Sequence, residues 1–406
     1  MKCNLLPWLG AFVLVIAGCT IIEDNERAPM ASNSGGRKEP RFERHAEGIR
    51  ITHYAEIEKL RQPWHSHWEN DSKYADTAVD GFIGSSQIVV RADCAAYLWD
   101  LAGGVVKTKL SLDRRLVEAD LDENTGLYAV LDVTSLSLWD LASKTRKWQL
   151  PRECLGTHVV AFSPDGQKLA HWFPPTGKSP SGIEILDAPT GSTTKLIELS
   201  KGNFQGFAFE WSPDGQSLLA LNGTSTGDEV GSWATLSIFD ANSGAKRLDL
   251  KMAAPPELAG FSSDGLQVFA ASGLETMVWD GKEGKAILST PKVLGAWRLL
   301  SDKGLPEPEL ICASYSIWGV KSHRSLREFK DQLDANQIFD LSVSPNSRWL
   351  SAATSKGLQV WDFVEGKTVL FDPDTRFVTS AKYSKDAAWI AYSGLNGAIR
   401  IRQLPK

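Results

Sequence analysis

The chain has 406 residues and a formal net charge of −5, with 44 lysines and arginines against 49 aspartates and glutamates. This mildly acidic balance argues against a nucleic-acid-binding protein, which usually carries a clear basic excess. Five cysteines are too few for a disulfide scaffold of this length, and fifteen tryptophans favour a protein of sheets over one of helices.

The first 19 residues have the pattern of an export signal. Lys2 is followed by a short apolar run that ends in Ile16-Ala17-Gly18-Cys19. The run is too short to span a membrane as a helix, and its flanks are those of a cleaved signal. Its ending resembles the lipobox of bacterial lipoproteins, and this resemblance implies cleavage before Cys19 and acylation of that cysteine. Residues 1–18 are therefore predicted to be a lipoprotein signal peptide, and a plain signal peptide with a chance cysteine is the alternative.

The stretch 19–48 is predicted to be a flexible tether behind the lipidated Cys19. It is rich in Glu, Arg, Ser, Asn, Gly and Pro and lacks apolar periodicity. Several acyl chains on one cysteine would give stable membrane anchoring. In the lipoproteins that this signal resembles, an aspartate after the cysteine retains the protein on the inner membrane. Because Thr20 stands there, we expect the periplasmic face of the outer membrane or the cell surface.

From about Ala78 onward, two phrases recur along the chain. The first joins an aromatic residue to a tight turn, as in Phe162-Ser-Pro-Asp-Gly166 and Trp211-Ser-Pro-Asp-Gly215. Ser, Pro, Asp and Gly are the residues that a type I turn between two strands prefers. The second is a strand of period two that ends in an aromatic residue and an aspartate, as in Leu136-Ser-Leu-Trp-Asp140 and Leu358-Gln-Val-Trp-Asp362. The aspartate is predicted to cap the turn that follows.

The second phrase occurs eight times, the last copy being degenerate. Its aromatic position, or the equivalent, falls at residues 99, 139, 186, 239, 279, 318, 361 and 402. Steps of 39 to 53 residues between strands that alternate at period two fit a propeller blade and exclude a helical solenoid. We therefore predict an all-β fold, an eight-bladed β-propeller over residues 78–406, with seven blades as the alternative.

These repeats resemble those of the WD40 family, and the resemblance covers nearly all of the chain after the tether. It implies a propeller that serves as a binding platform. Blades of that family carry a Gly-His pair and an aspartate in the turn before the Trp strand, which form a buried hydrogen-bonded network. This chain has no clear Gly-His pair, and the corresponding turns read, for example, Thr354-Ser-Lys-Gly357. We describe it as WD40-like and expect apolar packing in place of the network.

A propeller must be closed, because otherwise two sheet edges stay exposed. The last repeat ends at Lys406 after three strands, so its outer strand is expected from the N-terminal extension, residues 49–77. The spacing between an outer strand and the next inner strand points to Trp64-His-Ser-His-Trp68 as the closing strand. The alternative is Gly48–Thr52.

Motifs for catalysis or metal binding are weak. Gly177-Lys-Ser179 and Gly366-Lys-Thr368 have the end of a phosphate loop but lack its first glycine. His65 and His67 would share one side of a strand, but the neighbouring sequence supplies no further metal ligands. The charged stretch Arg114–Asp120 is interpreted as a solvated loop. We therefore expect no catalytic residue, no cofactor and no metal site.

Two turns between the second and third strands of a repeat are much longer than the others, Phe173–Ser181 and Asn222–Trp233. Both should lie on the face that carries the blade-to-blade links. Long loops in repeat proteins often gather on the binding face, although drift in tolerated loops would give the same pattern. The residues predicted to bind a partner, with aromatic anchors and charged orienting groups, are Trp172, Phe173, Lys178, Asp228, Glu229 and Trp233.

The sequence thus predicts a monomeric, lipid-anchored, non-enzymatic scaffold for an unidentified protein partner, held at the membrane through Cys19 and binding no nucleic acid. Two alternatives stay open. One is an outer-membrane protein assembly factor of the propeller lipoprotein type, whose repeats carry tryptophan in the outer strand, as only Trp148 does here. The other is an enzyme with a site in the central channel, which would need inward-facing acids and histidines at the channel mouth.

Overall fold

The computed structural model describes residues 41–45, 48–52 and 78–405, with gaps in the last range at 93–94, 112–115, 153–158, 174–180, 200–208, 222–234, 255, 257, 273, 291–295, 301–308, 313–315, 329–337, 364, 374, 376–377 and 395–397. The described residues form strands, turns and bends and contain no helix. Cys19, the predicted signal peptide and the predicted tether up to residue 40 lie outside the described residues.

The strands form eight antiparallel sheets, numbered here from the first complete one. Sheets 1 to 7 have four strands each, and sheet 8 has five. Sheets 1 to 4 consist of β3 (Ala78–Ile83), β4 (Gln87–Ala92), β5 (Ala95–Asp100) and β6 (Val105–Ser111); β7 (Leu116–Asp122), β8 (Leu127–Asp132), β9 (Ser135–Asp140) and β10 (Thr145–Pro151); β11 (Val159–Phe162), β12 (Lys168–Phe173), β13 (Gly182–Asp187) and β14 (Thr193–Glu198); and β15 (Phe209–Trp211), β16 (Ser217–Leu221), β17 (Thr235–Asp240) and β18 (Lys246–Lys251).

Sheets 5 to 8 repeat the pattern. They consist of β19 (Leu258–Phe261), β20 (Gln267–Ala271), β21 (Thr276–Asp280) and β22 (Ala286–Thr290); β23 (Ala296–Leu300), β24 (Glu309–Cys312), β25 (Ser316–Gly319) and β26 (Arg324–Glu328); β27 (Ile338–Val343), β28 (Trp349–Thr354), β29 (Gly357–Asp362) and β30 (Thr368–Asp372); and β31 (Val378–Tyr383), β32 (Trp389–Gly394) and β33 (Ala398–Gln403), joined by β2 (Gly48–Thr52) and β1 (Arg41–His45).

The first strand of each sheet is the innermost. First strands of neighbouring sheets contact one another, as β7 and β11 do, and β3 contacts β31, so the first and last sheets also meet. Because consecutive strands are antiparallel, the first-to-second and third-to-fourth turns gather on one face. The second-to-third turns and the links between sheets gather on the opposite face, called here the link face. This is an all-β β-propeller.

Apolar side chains of the alternating strands fill the spaces between sheets. Seven buried clusters join sheet 1 to 2, 2 to 3, 3 to 4, 4 to 5, 5 to 6, 7 to 8, and 8 back to 1. Trp361, at the aromatic position of its repeat, is 1% exposed. Burial of one such large side chain typically contributes about 1.5–3 kcal/mol, so these clusters are the main source of stability.

The tight turns form as their sequence predicts. Ser163 donates from Oγ to Asp165 at 2.6 Å, Asp165 accepts the backbone N–H of Gln167 at 3.1 Å, and Gly166 has a φ of 68°. Two further copies of this turn, at residues 344–347 and 384–387, keep the conformation without glycine: Ser347 and Ala387 occupy the same position with φ values of 55° and 56°. The hydrogen bonds of the turn therefore hold the chain in a conformation that only glycine adopts readily.

The aspartates that follow the aromatic positions cap the next turn, as predicted. Asp240 accepts the backbone N–H groups of Asn242 and Ser243 at 3.1 and 2.7 Å, and these hydrogen bonds lower its pKa. Asp280 accepts two N–H groups of its turn in the same way. The recurrent aspartate is thus a turn-forming residue in these repeats.

The closing strand is β2, the alternative from the sequence. It runs antiparallel to β33, with Ile49 opposite Ile401 and Thr52 opposite Ala398, and β1 adds a fifth strand outside it. The preferred segment, Trp64–Trp68, lies outside the described residues. The prediction is corrected in favour of Gly48–Thr52, whose Ile-Arg-Ile alternation matches that of its partner strand at period two.

The junction of sheets 2 and 3 contains a buried ionic group where we expected apolar packing. Arg152 donates from Nη2 to both carboxylate oxygens of Glu184, at 2.7 and 2.8 Å, and Thr193 donates to the same carboxylate. Burial acts to raise the pKa of Glu184, but hydrogen bonds from His171, Thr193 and Arg152 outweigh it and lower this pKa to about 2.

The junction of sheets 7 and 8 has the same arrangement with the charges reversed. Arg400 lies at the strand position that corresponds to Glu184, and it donates to Asp372 at 3.1 Å. The hydroxyl of Tyr392 also donates to Asp372, which is buried. Ion pairs thus replace part of the apolar packing at these two junctions. Burial of these charges is tolerated because each has a partner of opposite sign.

Removal of β2 should open the ring. A chain that begins at residue 53 leaves the outer edge of β33 unpaired, and we expect it to aggregate. A chain that begins at residue 41 keeps both β1 and β2 and should stay monomeric, as measured by size-exclusion chromatography with light scattering. A third chain, which begins at residue 48, separates the role of β2 from that of β1 and should also stay monomeric. Equal behaviour of the chains that begin at residues 41 and 53 would contradict this closure.

Candidate functional site on the inner strands

Ionisable side chains from the two inner strands of sheets 1 and 2, and from the innermost strand of sheet 8, lie close together. The group, called here the inner cluster, comprises Asp80, Arg91, Glu118, Asp120, Glu123, Tyr128 and Lys382. Asp80 and Glu118 lie near the beginning of their strands, and Arg91 lies near the end of β4. These three positions are at the end of the sheets that borders the link face.

Asp80 is the most enclosed carboxylate of the cluster, with a side chain that is 3% exposed. Its Oδ1 lies 2.8 Å from Nε of Arg91, and its Oδ2 accepts the hydroxyl of Tyr128 at 2.6 Å. Tyr128 belongs to sheet 2, so this hydrogen bond crosses the junction between sheets 1 and 2. A β-bulge between Val79 and Gly81 places Asp80 in this position.

Arg91 also reaches toward Glu118, with 4.0 Å between Nη1 and Oε1. The side chain of Glu118 is 37% exposed, and that of Arg91 is 23% exposed. Lys382 is exposed near the end of β31, toward the face opposite the link face. Near the link face the cluster therefore presents one charge of each sign to solvent, Arg91 and Glu118, while Asp80 is more deeply buried.

Some of these carboxylates accept backbone N–H groups at the unpaired edges of inner strands. Asp120 accepts the backbone N–H of Phe162 in the next sheet at 2.7 Å. Glu123 accepts that of Phe82 in the preceding sheet at 3.1 Å. Asp340 makes the same kind of bond between sheets 7 and 8. The innermost strand has no neighbour on its central side, so a side-chain acceptor satisfies a group that the sheet leaves unpaired.

Gly81 shows how closely Glu123 approaches. A Cβ atom at position 81 would lie 2.5 Å from Oε1 of Glu123. A residue with a side chain would push the carboxylate away from Phe82, and its hydrogen bond would be lost.

Burial raises the pKa of all four carboxyl groups of the inner cluster. The positive charge of Lys382 opposes this rise in each of the four, and that of Arg91 opposes it in Asp80 and Glu118. For Asp120 the result is a pKa of about 6, although its hydrogen bond from Phe162 favours the ionised form. Asp120 can therefore exchange a proton close to neutral pH.

The structure corrects the prediction for Trp172. It lies on β12, is 4% exposed and packs in the cluster between sheets 3 and 4, so it is not available at the surface. Its side chain points to the core because residues of a strand alternate between its two faces. Phe173, the next residue, is half-buried at the end of the strand, with its ring 6.0 Å from that of His171. The other residues predicted to bind a partner, Lys178, Asp228, Glu229 and Trp233, lie outside the described residues.

The inner cluster was missed by the sequence reasoning. The stretch Arg114–Asp120 was interpreted as a solvated loop, but Glu118 and Asp120 lie on β7, and Asp120 is largely enclosed. The available signal was the alternation of Glu118 and Asp120 with Ala119 and Leu121, which marks a strand with one polar face. Asp80 and Arg91 carried no such signal.

Within the described parts of the chain, no three His, Cys, Asp or Glu side chains are placed to hold a metal ion. Nor do the same parts contain a helix long and apolar enough to cross a membrane. The inner cluster can bind charged groups and exchange a proton.

The family model for the WD domain, G-beta repeat, matches residues 324–362. The match begins in the outer strand of sheet 6 and ends in the third strand of sheet 7, so the chain contains a WD40 repeat that crosses two sheets. WD40 propellers are generally non-enzymatic scaffolds for protein interactions. No curated protein matches the sequence significantly.

Several solved structures share the fold at low sequence identity. The C-terminal WD40 domain of Sif2 has a TM-score of 0.61 at 13% identity, covering 83% of this chain and 100% of that one. The β-propeller domain of Cps50 (Swd1) from Myceliophteria thermophila has a TM-score of 0.52 at 15% identity, covering 83% and 98%. Hydrazine synthase of Kuenenia stuttgartiensis has a TM-score of 0.55 at 12% identity, covering 83% and 99%. Such identities show the fold alone.

The Asp120→Asn variant tests the electrostatics of the inner cluster. Because burial raises the pKa of Asp120, its contribution to stability is greatest below the unfolded value of about 4 and is lost as pH rises through about 6. Asparagine stays neutral and can still accept the N–H of Phe162. We expect the variant to exceed the wild type in free energy of unfolding at pH 8 by about 2 kcal/mol, and the difference to shrink toward pH 4.

Denaturant titrations at the two pH values measure this difference, and the turn variant Asp187→Asn, at a half-buried position, serves as the control. A pH-independent difference for Asp120→Asn would show that the pKa of the Asp120 carboxyl group is not raised.

Proposed function

We propose that this protein is a lipid-anchored, non-enzymatic scaffold whose propeller binds a protein partner at the link face. The observation that carries the proposal is the WD40 repeat at residues 324–362 within a β-propeller. Each sheet of such a fold is packed between two others, so the turns on its faces are held in fixed positions. A partner can then bind without ordering the scaffold.

In this proposal the ring has eight blades. Sheets 1 to 7 form seven of them, and sheet 8 forms the eighth with its N-terminal strands. The apolar clusters support this count, because sheet 8 packs against sheet 7 on one side and sheet 1 on the other. Sheet 8 is completed by the N-terminal strand β2. Closure of the ring would thus be coupled to the anchored end of the chain.

The link face offers both apolar and charged groups to a partner. Leu274 and Val133, in second-to-third turns, are 60% and 37% exposed. Arg91 and Glu118 of the inner cluster are partly exposed at the same end of the sheets. The strands on either side of the two long loops, β12 with β13 and β16 with β17, also meet this face. Exposed apolar side chains and orienting charges on one face are the groups from which interfaces take their anchors and their specificity.

The lipid on Cys19 would hold this scaffold at the periplasmic face of the outer membrane or at the cell surface. The support is the order of an apolar run, two small residues and a cysteine in Ile16–Cys19.

Asp120 favours a second candidate function, an enzyme with a site at the propeller axis. A carboxyl group with a pKa of about 6, next to the charged side chains of the inner cluster, could serve as a general acid or base. Of the two candidates, the scaffold explains the WD40 repeat, whereas the enzyme rests on Asp120 and its charged neighbours.

Paired leucine variants test the face that binds the partner. Leu274→Arg alters the link face of sheet 5, and Leu266→Arg alters the opposite face of the same sheet, where Leu266 is 67% exposed. We expect Leu274→Arg to weaken capture of the crosslinked partner in cells by about thirtyfold, the loss of one anchor of about 2 kcal/mol. Leu266→Arg should capture the partner as the wild type does. If the Leu266→Arg variant loses capture and the Leu274→Arg variant keeps it, the partner binds the other face.

Intact mass spectrometry of the protein purified from membranes tests the anchor. We expect a chain that begins at Cys19 and carries the added mass of acyl groups. The Cys19→Ser variant should lose both the acyl mass and sedimentation with membranes. An unmodified N-terminus at another residue would contradict the anchor and leave the proposed binding face untouched.

A further inference from the structure

The outer strands of sheets 1 to 4 are strongly basic, although the chain as a whole has a formal net charge of −5. These strands, β6, β10, β14 and β18, are called here the basic rim. They carry eight lysines and arginines against two carboxylates, Glu198 and Asp249. The cations are Lys107, Lys109, Arg146, Lys147, Lys195, Lys246, Arg247 and Lys251.

Most of these cations are accessible. All except Lys195 are exposed, and Lys195 is half-buried. Lys147 lies 3.3 Å from Asp140 and Lys246 lies 2.7 Å from Asp249, but exposed pairs of this kind contribute little and exchange readily for other partners.

Aromatic rings hold two of the cations in place. Lys109 lies 5.6 Å from the ring centroid of Tyr97, and Arg146 lies 5.4 Å from that of Trp139. Such contacts reduce the freedom of the side chain and keep its charge. Binding of an anion then costs less ordering than at an unrestrained side chain.

Protection of the free outer edges does not account for the sign of the charge. Charged side chains on an edge strand prevent pairing with other chains, and both signs repel a second copy. The innermost strands have the opposite bias: their described side chains include one lysine, Lys382, and six acids. The acids are Asp80, Glu118, Asp120, Asp122, Glu210 and Asp340. Charge is thus sorted between the centre and the rim.

We propose that the basic rim binds an extended acidic segment of a polypeptide partner. This deepens the proposed function, on which it rests, by naming the chemistry of the partner. The four strands are the outermost of four successive sheets, so the rim curves outward. A flat anionic membrane can touch only a part of such a surface, whereas an extended chain can follow it from sheet to sheet. The rim also lies away from the link face, so a partner could contact both.

A poly-glutamate peptide is the probe for this site. The triple variant Lys109→Glu, Lys195→Glu and Lys251→Glu reverses three rim charges. A matched control reverses three exposed lysines of sheets 5 to 7, Lys282, Lys321 and Lys367. We expect the rim variant to bind poly-glutamate about tenfold more weakly at low salt and the control about as tightly as the wild type. A third variant with arginine at the three rim positions should bind as the wild type does.

Three results of the binding measurements would overturn the proposal. Equal weakening in the rim variant and the control would show that net charge alone matters. Tighter binding of duplex DNA or heparin than of poly-glutamate would assign the rim to another polyanion. Tighter binding of anionic lipid vesicles would assign it to the membrane.

Partner capture in cells separates this proposal from the proposed function. If the rim variant captures the partner as the wild type does while Leu274→Arg does not, the rim proposal fails and the scaffold stands. If neither variant changes capture, the link face is also wrong. Loss of capture in the rim variant, with poly-glutamate binding weakened and the control unaffected, supports the acidic segment.

Discussion

An unpaired strand edge, with its free backbone N–H and C=O groups, is the constraint on which this propeller depends. Every sheet has an inner and an outer edge, and different groups protect the two. At inner edges, Asp120, Glu123 and Asp340 accept N–H groups of a neighbouring sheet. At the outer edges of sheets 1 to 4, lysines and arginines are exposed. In sheet 8, a strand from the beginning of the chain pairs with β33.

The use of carboxylates at the inner edges has an electrostatic consequence. A carboxylate that caps an inner strand must leave water, and burial then raises its pKa, as Asp120 shows at about 6. Lys382 and Arg91 offset part of this cost, and charges of both signs collect along the inner strands. The same structural need that places acids at the centre therefore creates the chemically most versatile site in the described part of the molecule. That site could serve a channel enzyme, or it could form a charged part of the face with which the scaffold binds its partner.

The sequence predicted those features that depend on neighbouring residues. The turn at Ser163–Gly166, the cap at Asp240 and the period of the repeats follow from local conformational preferences. The closing strand did not, because β2 and β33 are far apart in sequence and either extension segment could pair. The alternation of β7 marks Glu118 and Asp120, but the assembled inner cluster could not be predicted, because it joins three sheets and a bulge places Asp80. Trp172 was assigned to a surface because it borders a long loop, although the alternation of its strand turns it inward.

Amide hydrogen exchange of β33 tests the central claim, closure of the ring by β2, most directly. In the full chain, residues 399–401 should exchange as slowly as the interior strand β17 (Thr235–Asp240), because both pair with a strand on each side. The outer strand β18 (Lys246–Lys251), which has a neighbour on one side only, provides the reference for an open edge. Exchange of β33 at the rate of β18 would contradict the closed ring.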